Sequence, residues 1–148
     1  MAKLGTIILR PASFTDMELL LSWRNDPETR RQSKSMAKVS IVEHEIWMRD
    51  VLDNPNIRLQ IAILDGEAVG NIRANKKIDF WELSWAIDLN FRGQNLGYQM
   101  VLKAIEELEG TIRAEVKPDN LASIRITEKL GMECLGVEGG VMVWELTK

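Results

Sequence analysis

Between Leu83 and Gly97 the chain combines residue types and spacings suited to holding an anion. Leu83, Trp85, Ile87 and Leu89 alternate with smaller or polar residues, the period of a strand. Farther on the apolar positions take helical spacing: Val101, Ala104, Ile105 and Leu108 share one face, with Lys103, Glu106, Glu107 and Glu109 mostly outside. A helix therefore begins inside the loop Gly93-Gln94-Asn95-Leu96-Gly97, just before Tyr98. Successive backbone N–H groups of such a loop, with the unpaired N–H groups of the first helical turn, converge on one point and favour a phosphate there. Arg92 adds a full positive charge at the rim.

Upstream, Thr6 to Leu9 reads as a first strand ended by Arg10-Pro11. Ser13 and Asp16 form a capping box that opens a helix carrying Leu19, Leu20 and Trp23, and Asp26-Pro27 should end it. Thr29 to Lys38 is polar and reads as a loop or frayed helix. Ser40 and Glu43 mark a second helix whose apolar stripe is Val42, Ile46 and either Trp47 or Val51, stopped by Asp53-Asn54-Pro55-Asn56. Ile57, Leu59, Ile61 and Ile63 alternate, Asp65-Gly66 signals a tight hairpin, and Ala68 to Arg73 returns as its partner. Asn75 to Asp79 forms a turn before the Leu83 strand. After the central helix come Thr111 to Val116, a turn at Lys117-Pro118-Asp119, a helix from Asn120 to Leu130 closed by Gly131, and two strands around Gly139-Gly140.

The 148 residues read as a single domain, 1–148, of mixed α+β class in the order β-α-α-β-β-β-α-β-α-β-β. The net formal charge of −3 is mixed along the chain, which argues against nucleic acid and against an anionic membrane surface. The single cysteine, Cys134, excludes an internal disulfide and a cysteine metal cluster. No apolar run reaches membrane-spanning length and the N-terminus lacks a signal peptide's apolar centre, so a soluble, cytoplasmic protein is expected.

Arg92-Gly93-Gln94-Asn95-Leu96-Gly97 resembles the pyrophosphate loop of the GCN5-related N-acetyltransferases, with Asn95 in place of the first motif glycine. Asn is the non-glycine residue that best tolerates left-handed backbone angles. A second family series is matched by Val116, Asn120, Ser123, Lys129, Gly131 and Met132. The resemblance covers essentially the whole chain. It implies the acyl-CoA N-acyltransferase fold, a twisted, mostly antiparallel sheet of about seven strands flanked by four helices. It also implies acetyl-CoA as co-substrate, no metal, and a small-molecule primary amine as acceptor.

By the same resemblance the fourth strand carries a bulge and splays from the fifth, freeing backbone groups around Ile87, Asp88 and Leu89 for the coenzyme arm. Asn120 and Ser123 would hold that arm, and Asn120 also reads as a helix N-cap. The tyrosine that usually protonates the leaving thiolate is replaced by Thr127, too weak an acid for the task. Glu82, Glu115 or His44 is the candidate proton acceptor. Tyr98, the one tyrosine, is placed for packing against core or cofactor.

Trp23-Arg24-Asn25-Asp26-Pro27, Arg30, Ser40, His44 with Trp47, and Asp53-Asn54-Pro55 resemble the branch acting on nucleotide-linked amino-sugars. That resemblance implies Arg24, Arg30 and Arg31 as diphosphate contacts and Trp47 as a stacking face, with His44 beside it. Acetylation of a protein N-terminus or another small amine is the competing enzyme reading. A coenzyme-binding sensor without turnover is the alternative of another class, motivated by Asn95 and Thr127. An exposed last strand, Val141 to Leu146, would permit a homodimer.

Overall fold

The computed structural model describes residues 5–148. In chain order these form β1 (Ile8–Pro11), a 3₁₀ turn (Phe14–Asp16), α1 (Met17–Arg24), α2 (Pro27–Gln32), α3 (Ile41–Asp53), β2 (Ile57–Leu64), β3 (Glu67–Lys76) and β4 (Trp81–Ile87). A second 3₁₀ turn (Leu89–Phe91) precedes α4 (Leu96–Glu106), β5 (Thr111–Val116), α5 (Leu121–Lys129), β6 (Glu133–Glu138) and β7 (Val141–Thr147). The strands make one seven-stranded sheet in the order β1-β2-β3-β4-β5-β7-β6. Its neighbours run antiparallel except β4 with β5, which run parallel. No helix among the described residues is long and apolar enough to cross a membrane.

Local signals act as expected where they concern one element. Asp65 and Gly66 both take positive φ, 50° and 81°, the backbone of a two-residue hairpin. The Ser13/Asp16 box forms, and Arg10 grips Asp16 through two bonds of 2.8 Å. Those bonds hold the Asp16 carboxyl below its usual pKa.

Pro27 does not stop helical structure. It takes the first position of α2, where its missing N–H is no loss, and Asp26 caps the helix by accepting the Thr29 N–H at 3.0 Å. The described residues thus carry five α-helices rather than the expected four.

The phase of α3 also differs. Val42 and Ile46 are 66% and 58% exposed, while His44, Met48 and Val51 are buried. Met48 and Val51 pack with Leu20, Trp23, Leu59 and Ile61, so the helix is rotated by what α1 and β2 offer it. At the other end of the sheet β7 lies between β5 and β6, so Val141 to Leu146 is no edge. β6 is the edge beside it, with Leu135 and Val137 exposed.

On one face of the sheet α4 buries Met100, Val101, Ala104 and Ile105 against Ile72, Ala74, Leu83 and Ile112. On the other, α1 and α3 cover Leu59 and Ile61 of β2. Strand alternation and register put Arg73 and Asn75 of β3, Glu82 and Ser84 of β4, and Arg113 and Glu115 of β5 on this second face. Beyond β2, therefore, it turns polar.

Candidate active site

Two sets of residues meet at β4. The first surrounds the split between β4 and β5. Pairing runs from Trp81↔Ile112 to Leu83↔Ala114 and then stops, although β4 continues to Ile87. The β3–β4 ladder shows no register shift, so the splay forms without the expected bulge; the irregularity in this hairpin sits at Ala62/Ile63 of β2 instead. The Asp88 N–H donates to the Val69 carbonyl at 2.8 Å, which makes Gly70↔Ile87 a non-hydrogen-bonded pair. By antiparallel alternation Trp85 and Ile87 then turn their N–H and C=O groups away from β3, toward the split. The Ile87 carbonyl accepts from Arg92 Nε at 3.1 Å.

Of the three residues expected to present backbone here, Ile87 does. Asp88 spends its N–H on Val69 and its carboxylate on Trp23 Nε1, 2.7 Å away, and Leu89 lies in the 3₁₀ turn. Trp85 is the residue the sequence did not single out. Its place follows from pairing parity, and its indole donates to Ser123 Oγ at 3.2 Å, joining β4 to α5.

The loop before α4 has the geometry of an anion cradle. Asn95, at φ 64°, is the N-cap of α4, and Gly93 is also left-handed. A Cβ on Gly97 would come within 2.8 Å of Ile126 Cδ1, so a residue without a side chain lets α5 approach α4. Arg92 is not a free charge at the rim, because Asp26 Oδ2 accepts from it at 2.7 Å. The cation beside the loop is Lys129, 3.1 Å from Asn95 Oδ1 and over the Tyr98 ring at 4.2 Å. Gln94 is exposed. Asn120 Oδ1 accepts the Ser123 N–H at 3.2 Å, which leaves its NH₂ to donate elsewhere. Left-handed loop, helix N-terminus, small Gly97 and unpaired strand edge together fit a phosphate-bearing arm laid along the split.

The second set lies on the polar face. Glu115 pairs with Lys34 at 2.8 Å, and this contact, with a smaller contribution from Glu82, raises the Lys34 pKa. Trp47 stacks on His44 with centroids 5.4 Å apart, and its ring carries the Arg73 guanidinium at 5.6 Å. His44 is 3% exposed, and burial pushes its pKa down, so the ring is neutral near pH 7. Its Nε2 donates to the Met17 carbonyl at 3.0 Å, which uses the ring as a pin between α3 and α1.

Each of the three arginines expected at a diphosphate bonds the protein. Arg24 bonds Ser35 O, Arg30 bonds Met36 O, and Arg31 bridges Glu28 and Asp119. Thr127 is fully buried and its hydroxyl donates to the Ile124 carbonyl at 2.7 Å, so it offers no proton to a leaving group.

The family model described as "Acetyltransferase (GNAT) domain" matches residues 6–133. The chain belongs to the GNAT acetyltransferase family. It is an acetyl-CoA-dependent N-acetyltransferase. Among curated relatives it is similar to the L-amino acid N-acetyltransferase AaaT of Escherichia coli K12, 21% identical over 143 residues that cover 90% of this chain and 86% of the relative. Its fold is shared with aminoglycoside acetyltransferase AAC(6')-Ib in complex with coenzyme A: TM-score 0.84, 20% identity, 97% of this chain and 95% of that one covered. A ribosomal-protein-alanine N-acetyltransferase from Brucella melitensis aligns with TM-score 0.78 and 19% identity over 95% of this chain and 99% of that one. In this GNAT domain the split and the α4 loop are the candidate coenzyme side, and the polar face is the candidate acceptor side.

Proposed function

We propose that this GNAT enzyme acetylates the primary amine of a nucleotide-linked amino-sugar. The observation that carries the reading is the polar face, where an aromatic and cationic wall, Trp47 under Arg73, shares the sheet surface with the carboxylates Glu82 and Glu115. The wall offers a stacking surface and a positive charge, and the carboxylates offer proton acceptors beside it. The sugar-branch motif around Trp23 also reaches the coenzyme side, because Trp23 bonds Asp88 and Asp26 bonds Arg92.

Acetyl-CoA supplies the acetyl group as a thioester. The α4 loop with Lys129 holds its diphosphate, Trp85 and Ile87 offer backbone groups to its arm, and Asn120 donates an amide N–H to it. At neutral pH the acceptor arrives as an ammonium and must lose a proton before it attacks. Glu82 takes that proton through water, since Glu115 is held by Lys34. A thiol with pKa about 8.5 leaves adequately without an acid in the place of Thr127.

A free amino acid is the second reading. The E. coli relative whose name states that acceptor aligns over 90% of this chain. The deciding experiment follows free thiol release from acetyl-CoA with nucleotide-linked 4-amino-sugars, L-amino acids, short peptides with free N-termini, and polyamines. Turnover confined to the amino-sugars is expected. Turnover of amino acids or peptides alone moves the acceptor assignment, and coenzyme binding without thiol release from any acceptor would leave a sensor.

A further inference from the structure

Arg73 sits in the middle of β3, directly opposite Ser84 of β4, on the polar face at the level where the β4–β5 pairing ends. Its Nε is buried and has no hydrogen-bond partner among the described residues. Desolvation pulls its pKa down, yet a guanidinium remains charged at any physiological pH. Glu82 attracts it without forming an ion pair and Arg24 repels it. Trp47 supplies a face but no acceptor.

The neighbouring arginines differ in kind. Arg24, Arg30, Arg31, Arg92 and Arg113 each donate to a protein oxygen. A cation drawn out of water is costly unless something accepts its protons. Two residues along the same strand face, Asn75 Oδ1 is likewise buried and unpartnered, and Asn75 lies opposite Glu82 in the ladder. An orphan donor with positive charge thus adjoins an orphan acceptor beside a carboxylate. That arrangement complements a ligand that carries an oxyanion and an ammonium together.

We infer that Arg73 is the oxyanion-binding residue of the acceptor site, and that the acceptors are primary amines bearing a carboxylate or phosphate rather than neutral amines or polyamines. Asn75 and Glu82 receive the ammonium end. The inference rests on the acetyltransferase reading of this site and narrows its substrate class. Both proposed acceptors carry the required oxyanion, as a phosphate in the amino-sugar and a carboxylate in the amino acid.

The test uses matched acceptors in the thiol-release assay: an amino-sugar phosphate against the free amino-sugar, and an L-amino acid against its amide. Wild type is expected to favour the anionic member of at least one pair by about tenfold or more in kcat/KM, the value of one charge-assisted contact. Arg73→Met should reduce that preference to less than about threefold, chiefly through KM, while Arg73→Lys restores part of it. The pair that shows the preference identifies phosphate or carboxylate as the group bound.

A readout independent of turnover is the Arg73 Nε–Hε NMR signal of the full chain with acetyl-CoA present. Titration with inorganic phosphate or acetate should shift it saturably, with Arg73→Lys as the assignment control should Arg73→Met fail to fold. Equal use of charged and neutral members, or an Nε–Hε signal indifferent to both anions, overturns the inference and leaves the acetyltransferase intact. Thiol release from no acceptor would instead sink the enzyme reading, and the NMR titration would still decide whether Arg73 binds an oxyanion.

Discussion

At the scale of single residues, Asn95 carries the turn into α4. A left-handed backbone costs an ordinary L-residue about 1–2 kcal/mol, a cost that is smaller for Asn and that glycine avoids. Asn95→Ala is therefore expected to lower the unfolding free energy by about 1 kcal/mol and Asn95→Gly to recover most of it, read from urea denaturation. Acetyl-CoA affinity separates a second contribution, because both variants lose the contact to Lys129. If Asn95→Ala is as stable as wild type, the turn does not need the left-handed angle. The departure from a glycine was visible in the sequence, and so was the reason it is tolerated, since φ preference belongs to one residue. The fate of Arg92 was not, because its partner Asp26 is 66 positions away.

At the scale of elements, α2 and the segment after it form a strap between the two walls of the split. Asp26 ties it to Arg92 on the α4-loop side, while Arg31 with Asp119, and Lys34 with Glu115, tie it to the β5 side. Asp26 has two jobs here, as helix cap and as ion-pair partner. Asn caps a helix about as well as Asp does but carries no charge. Asp26→Asn should consequently preserve α2 yet weaken acetyl-CoA binding several-fold by releasing Arg92, whereas Asp26→Ala should also cost about 1 kcal/mol of stability. Calorimetric titration with acetyl-CoA checks both variants, and wild-type affinity in Asp26→Asn would show that the strap does not act on the coenzyme loop. Asp26-Pro27 reads as a stop because that pair breaks the preceding helix, and α1 does end at Arg24. The restart at Pro27 is what makes a strap.

For the whole molecule, His44 links stability to pH. Burial places its folded-state pKa below the unfolded value of about 6.5, so between the two values the unfolded chain binds more protons. Stability is then complete above about 6.5 and falls as pH drops through that window. The Met17 carbonyl, which partly offsets the shift, and Arg24, which adds to it, are the groups acting on the ring besides desolvation. His44→Gln keeps a donor toward Met17 but does not titrate, so it should flatten the slope of urea stability between pH 7 and 5.5. An unchanged slope would assign it to another group. Asp16, held low by Arg10, acts in a separate and more acidic range, contributing stability that is lost as pH falls below about 4.

The order of elements apart from α2, both capping sites, the Asp65-Gly66 hairpin and the strand-to-helix loop were readable from the chain alone. Each depends on residues two to four apart, whose geometry a single strand, turn or helix already dictates. Tertiary structure decided which face of α3 is buried, that β7 rather than β6 pairs with β5, that the β4–β5 split forms without a bulge, and that Arg24, Arg30 and Arg31 serve the strap. It also left Arg73, an ordinary strand residue by sequence, half-buried against Trp47 with no acceptor for its Nε. These outcomes follow from contacts between distant segments, where burial and the choice of partner are settled by packing rather than by local spacing.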